Sequence, residues 1–220
     1  MEKVEKQNEQ KPYRARQMKF RWIGLLLAGV IIVCATGYLS CTLITNRHID
    51  PDIDADTRAK WAKPMDLPGL PNLHKVSEDL YRGAQPSAEG MRQLEKLGVK
   101  TVVNLRSSHS DRDELKGTSL AYEHIEMTAW NPEFEDVVRF LQIVSDSNSL
   151  PVFVHCQHGA DRTGLMCAVY RIAVQGWSKD EAIMEMTEGG FGFHEIWKNL
   201  PNYIRRLDID QAKHKANVNK

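Results

Sequence analysis

The stretch "VHCQHGADRTG", residues 154–164, decides how this chain is read. It lies between a short apolar run, "LPVFVH" (150–155), and an apolar segment of helical composition, "LMCAVYRIAVQG" (165–176). Three chemistries compete for it. A zinc site draws ligands from pairs in two places; His155, Cys156 and His158 make one half, and the second half is missing, with His124 and His194 as remote recruits. A Cys-x-x-Cys redox loop is excluded because Gly159 holds the second position. A phosphate cradle accounts for more of the residues. A loop joining a buried strand to a helix N-terminus offers backbone N–H groups to an anion. Gly159 permits the tight curl, Gly164 lets the helix pack closely, and Arg162 can grip two phosphate oxygens in a planar fork. Cys156 stands at the mouth, where amides, helix dipole and Arg162 all favour a thiolate. The pattern is a nucleophile aimed at a bound phosphorus.

Working outward, strands and helices alternate. "LYRGAQPSAEGMRQLEKLG" (80–98) reads as strand, turn and helix, capped by Ser87, ended by Gly98 and carrying Met91, Leu94 and Leu97 on one face. "VKTVVNL" (99–105) suits a buried parallel strand, and "AYEHIEM" (121–127) is a further strand candidate. "SSHSDRDELKG" (107–117) is a polar loop or short helix. "NPEFEDVVRFLQIVSD" (131–146) predicts a helix with Asn131 as cap and Pro132 in its first turn. "SKDEAIMEMTEGG" (178–190) and "HEIWKNLPNYIRRLD" (194–208) read as helices. The expected fold is α/β: a central, mostly parallel sheet flanked by helices.

The 29 Lys and Arg residues balance 29 Asp and Glu, so no global field points to nucleic acid. Positive charge gathers instead in residues 1–21, ahead of "WIGLLLAGVIIVCATGYLSCTLIT" (22–45), which carries no charged residue. Such a run exceeds the roughly 20 helical residues that cross a bilayer. It is longer than the apolar core of a signal peptide, and Tyr38 and Leu39 spoil a lipoprotein box before Cys41. The expected organisation is therefore a basic cytoplasmic tail (1–21), an uncleaved transmembrane helix (22–45), a Pro- and Asp-rich linker (46–72), a catalytic domain (73–210) and a solvated C-terminal tail (211–220). Basic residues stay cytoplasmic, which puts the domain on the far side, the periplasm in a bacterium. Cys34 and Cys41 belong to the span. Cys156 and Cys167 alone fall in the domain, too few for a disulfide framework.

"VHCQHGADRTG" resembles the signature of the cysteine-dependent phosphatases, specifically the dual-specificity group of the protein tyrosine phosphatase superfamily. "LYRGAQPS", "VVNLR", "GW" and "GGFGFH" are similar to a bacterial branch of it, and the resemblance spans residues 73–205. It implies hydrolysis of phosphate monoesters through a phosphocysteine, with no metal or organic cofactor. By position, Cys156 is the nucleophile and Arg162 the phosphate clamp. Amides of Gln157, His158, Gly159, Ala160, Asp161 and Arg162 form the cradle, Thr163 tunes the thiolate, and His155 supports the loop from behind. The family's general acid is an aspartate about thirty residues before the cysteine. That region here, "EHIEMTAWNPEFED", has its first aspartate at Asp136, twenty residues before Cys156. Glu133 is one substitute; Asp161 is another, either as the acid or as a carboxylate that orients Arg162 or caps the helix. Arg106 points into the pocket or makes a surface salt bridge, Trp130 lines the cleft or packs, and His158 contacts substrate or faces solvent.

Two other functions compete. A rhodanese-type sulfurtransferase also uses a cysteine loop after a strand, although "GADRTG" running into a helix argues against it. An inactive phosphate-binding relative would keep Cys156, Arg162 and Thr163 but lack the acid. The expected partner is a phosphorylated protein, lipid or glycan, the anchor tilting the choice toward the envelope.

Overall fold

The computed structural model describes residues 53–218, and the expected span at 22–45 lies outside them. Among the described residues no helix is long and apolar enough to cross a membrane. A six-stranded sheet forms the centre, in the order β1-β2-β3-β6-β4-β5. Its strands are β1 (Lys63–Pro64), β2 (His74–Lys75), β3 (Leu80–Gly83), β4 (Thr101–Asn104), β5 (Ala121–His124) and β6 (Val152–His155). The four strands from β3 to β5 are parallel, while β1 and β2 add an antiparallel edge.

Alternation along the strands divides the core into two layers, as the two-residue period of a strand requires. Phe153, Val102 and Tyr81 face one side, where they meet Met91 and Leu94 of helix α2 (Ala88–Lys96). Ser87 Oγ accepts the Gly90 N–H to cap that helix, and Gly98 follows it with φ +87°. Val152, Val154, Leu80 and Val103 face the other side, the larger layer. There lie α3 (Phe134–Ser145), α4 (Asp161–Ala173), α5 (Lys179–Glu188), a 3-10 turn (Glu195–Trp197), α6 (Asn199–Arg206) and α7 (Ile209–Ala216). Helix α4 is buried almost all round, from Thr163 to Ala173, because the sheet and its sister helices enclose it. A side chain added at Gly164 would sit 2.9 Å from Met186 Cγ, so a glycine there sets how closely α4 meets α5.

The boundaries differ from the sequence reading at both ends. Residues assigned to a linker carry α1 (Ala55–Ala59), strand β1 and the buried side chains of Trp61, Ala62 and Leu70. The buried Arg171–Glu185 ion pair anchors them: Glu185 accepts the Ala62 N–H at 2.7 Å, and Arg171 donates to Lys60 O at 3.3 Å. Proline suits the edge position of Pro64, which has no ladder N–H to supply. Prolines and aspartates look like a linker only while partners more than a hundred residues away are out of view. The expected tail is folded through Ala216, with Ala212 and Ala216 buried. Helix α3 starts at Phe134 with Glu133, not Asn131, at its N-cap, since the Asp136 carboxylate accepts the Glu133 N–H. Residues 107–117 form turns without a helix, and β5 ends at His124.

Candidate active site

The loop from Cys156 to Ala160 leaves the end of β6 and runs into the first turn of α4. Four of its five carbonyls are taken by residues outside the loop. The Gln157 carbonyl accepts from the Gln85 N–H (3.4 Å), that of His158 from Asn72 Nδ2 (3.0 Å), and that of Gly159 from Arg82 Nη2 (2.8 Å). The Ala160 carbonyl accepts the Gly164 N–H at 2.8 Å. Among the described residues the N–H groups of Gln157, His158 and Gly159 have no acceptor. Carbonyls turned outward leave amides turned inward, which is the arrangement of an anion nest. Gly159 makes the curl possible: its φ is +69°, and a Cβ there would lie 2.4 Å from the Gly83 carbonyl. The β3 backbone packs against the loop too closely for any side chain.

Arg82 was not singled out in the sequence, and it lies under the loop. It is 1% exposed, its guanidinium sits 3.7 Å over the Phe191 ring, and no carboxylate pairs with it among the described residues. A buried cation bonded only to carbonyls projects an uncompensated positive field into the nest. The signal was present as a lone arginine in an apolar strand, "LYRG". Asn72, in the presumed linker, bridges the loop to its neighbour: Nδ2 donates to His158 O and to Phe191 O (2.9 Å).

His155, the last residue of β6, is fully buried. Its Nε2 donates to Asp111 Oδ2 at 2.6 Å, and Gln85 Nε2 donates to the other oxygen at 2.8 Å. Burial opposes ionisation of Asp111, but the His155 hydrogen bond and charge, with Gln85 and His109, outweigh it and hold the carboxyl below its usual range. Asp111 came from a loop with no visible signal. Among the described residues Arg106 forms no salt bridge; it donates to Gln85 Oε1 at 2.9 Å and so braces the same network.

Cys156 is 2% exposed at the floor of the loop, and no disulfide joins it to Cys167. Burial pushes the Cys167 thiol up to about 11, so it stays protonated and inert. Arg162 is half-buried, and its Nη1 donates to Leu105 O (3.2 Å) and Met127 O (3.3 Å), which leaves the other guanidinium nitrogens for a ligand. Thr163 Oγ1 is buried and makes no hydrogen bond among the described residues, to Cys156 or to anything else. Asp161 does not bond Arg162. Its Oδ1 accepts the His194 N–H (2.9 Å) and its Oδ2 accepts His194 Nδ1 (2.8 Å), so the carboxylate ties the phosphate loop to the segment at 189–194. Glu133 and Asp136 sit at the helix α3 N-terminus. Burial pushes Asp136 up, the Glu133 N–H lowers it, and the Glu133 and Glu135 charges raise it further. Trp130 is 68% exposed, so it is not a core tryptophan.

Among the described residues a cation could find donors in two groups, His158–Asp161–His194 and His109–Asp111–Glu114. Neither is the His155–Cys156–His158 set weighed in the sequence, because His155 points away to Asp111.

Comparison with known proteins agrees with the loop. The family model described as a DSP-PTPase phosphatase fused to NAD+ kinase matches residues 70–199. The dual specificity protein phosphatase TpbA of Pseudomonas aeruginosa is 35% identical over 190 residues, covering 86% of this chain and 82% of the relative. The crystal structure of TpbA superposes with a TM-score of 0.64 at 35% identity, covering 72% of this chain and 97% of that one. A Cys-to-Ser TpbA in complex with pTyr gives the same TM-score at 34% identity, covering 73% and 98%. The Siw14 catalytic core shares the fold, with a TM-score of 0.61 at 22% identity, covering 70% of this chain and 95% of its own. A cysteine loop with free amides, an arginine at its far end, and relatives of this extent place the chain in the dual-specificity phosphatase family, and it hydrolyses phosphate monoesters through a phosphocysteine.

Proposed function

We propose that this phosphatase prefers aryl phosphates, phosphotyrosine on protein chains foremost, and that Cys156 and Arg162 carry the reaction. The observation that supports the assignment most is the loop's polarity: bound carbonyls outside, unpaired Gln157, His158 and Gly159 amides inside, with the buried Arg82 charge beneath. A phosphoryl dianion seats its oxygens on those amides and on the Arg162 fork. Cys156 Sγ attacks phosphorus, forming the S–P bond as the bond to the leaving oxygen breaks. Water then attacks phosphorus, the S–P bond breaks, inorganic phosphate leaves and the thiolate returns. Thr163 Oγ1, buried with no bond of its own, is free to donate toward the departing sulfur.

The preference for aryl esters follows from the proton. Asp161 accepts two hydrogen bonds from His194, and residues 128–133 contain no aspartate. General acid catalysis is worth about 10²–10⁴-fold, and a phenolate leaves without it far more readily than an alkoxide. TpbA's complex with pTyr supports the same class. Residues 22–45, uncharged and preceded by a basic segment, support a single membrane anchor with the catalytic domain on the far side from the cytoplasm. Substrates would then be phosphoproteins of the envelope.

The test compares a phosphotyrosine peptide with the same peptide bearing phosphoserine. Cys156→Ser is expected to abolish turnover of both while retaining phosphopeptide binding. Asp161→Asn is expected to lower both rates by a similar factor; a loss confined to the alkyl ester would make Asp161 the acid and sink the leaving-group argument.

A further inference from the structure

His158, Asp161 and His194 converge at the phosphate loop in a way that phosphate binding does not require. His158 is exposed on the loop, and His194 comes from the neighbouring segment with its side chain 47% exposed. The buried Asp161 carboxylate lies between the loop and α4, and donor atoms of the three side chains all fall within 4.8 Å of one another. The two imidazole rings are 5.3 Å apart between centroids, inclined at 59°. A tetrahedral ion bound by two imidazoles at roughly 2.0–2.1 Å from each nitrogen puts their centroids about 5 Å apart. The rings therefore already stand at a spacing suited to one shared ion. Asp161 also takes His194 Nδ1 at 2.8 Å, so an ion entering there replaces a single proton and opens that edge by a few tenths of an ångström.

We propose that His158, Asp161 and His194 form a zinc-type divalent metal site that inhibits the enzyme reversibly. Two imidazoles and one carboxylate suit zinc, with a fourth position left open. An ion held there cross-links the phosphate loop to the segment at 189–194. Cys156 is not among the donors that converge there, so the inhibition acts through the loop: an ion gripping His158 and Asp161 shifts the amides that seat the phosphate. The binding claim stands on the three side chains alone, whereas the inhibition claim rests on the Cys156 loop being catalytic.

Cobalt(II) is titrated into the full-length Cys156→Ser chain and followed by its tetrahedral d–d absorption, with zinc as competitor. One ion per chain is expected, displaced by zinc. His158→Ala and His194→Ala, each in that background, are expected to weaken binding beyond the ~10–100-fold that loss of an outer partner costs. His194→Asn keeps an N–H donor for Asp161 and removes the ligand; with a melting temperature near the parent it should bind equally poorly. In the active chain, zinc should suppress hydrolysis of p-nitrophenyl phosphate and EDTA restore it, while His194→Asn, normalised to its own zinc-free rate, stays insensitive. Cobalt binding in the Cys156→Ser chain that survives the histidine changes would place the ion elsewhere and overturn the site, as would no binding at all in that chain. Turnover that persists in Cys156→Ser would defeat the catalytic reading while leaving the cobalt result to stand.

Discussion

Asp111→Ala removes a carboxylate that is wholly buried and holds two partners at once. His155 Nε2 loses a 2.6 Å acceptor and Gln85 Nε2 a 2.8 Å one, and His155 has no exposed surface through which water could replace the loss. A buried donor left without its acceptor costs about 1–3 kcal/mol, so losing both bonds costs about 2–6 kcal/mol. In a domain of this size each kcal/mol moves the melting temperature by about 2–4 °C, so a fall of roughly 4–24 °C is expected. Urea titration of the full chain, followed by tryptophan fluorescence, gives the free energy directly. Asp111→Asn keeps the shape and one acceptor and should lose less, about 1–3 kcal/mol. The pH dependence fixes the sign. The Asp111 carboxyl is held below its usual range in the folded state, so its contribution is complete above the unfolded carboxylate value near ~3.9 and disappears as pH falls through the lower folded value. The gap between wild type and Asp111→Ala should therefore be open at neutral pH and narrow below about pH 4. A variant within about 0.5 kcal/mol of wild type, or a gap that widens toward acid, would refute the buttress.

Gly159→Ala places a methyl 2.4 Å from the Gly83 backbone at φ +69°, so the loop must shift. Displacements of that order cost about 10²-fold in rate, and steady-state hydrolysis of an aryl phosphate should show it while the protein remains folded. Trp130→Ala removes an exposed ring and should leave stability within about 0.5 kcal/mol. If Trp130 meets the peptide around the phosphotyrosine, KM for the peptide rises and KM for p-nitrophenyl phosphate does not; equal values for both would leave Trp130 outside the cleft. Native alkylation with iodoacetamide at pH 8, read by mass spectrometry, should spare Cys167, whose thiol is pushed up to about 11 by burial.

Most of the architecture was legible because strands and helices announce themselves locally. "LPVFVH" has the apolar run of a strand buried on both faces, and Ser87 and Gly98 bracket α2 as a cap and a stop should. Strands β1 and β2 were invisible because two residues carry no period. Helix α1 and helix α7 were misread as linker and tail for a related reason: their polar residues dominate the composition, and the few buried side chains are held by distant partners. Helix α3 takes its cap two residues later than Asn131, at Glu133, since a carboxylate reaching back from Asp136 holds the Glu133 N–H.

The chemistry of the site is written in local spacing: a cysteine, five residues, then arginine and threonine between strand and helix leave little besides phosphoryl transfer. What holds that loop in shape comes from long-range contacts that appear once the chain is folded. Asn72, the Arg82–Gln85 stretch and Asp111 reach it from three separate places in the chain. Asp161, which the sequence left between catalysis and support for Arg162, turned instead to His194. The difference is physical. A nucleophile and its anion cradle are set by residues adjacent along the backbone, so spacing records them. A buried carboxylate or guanidinium takes its partner from whichever donor or acceptor folding delivers, and that choice leaves no trace in local sequence.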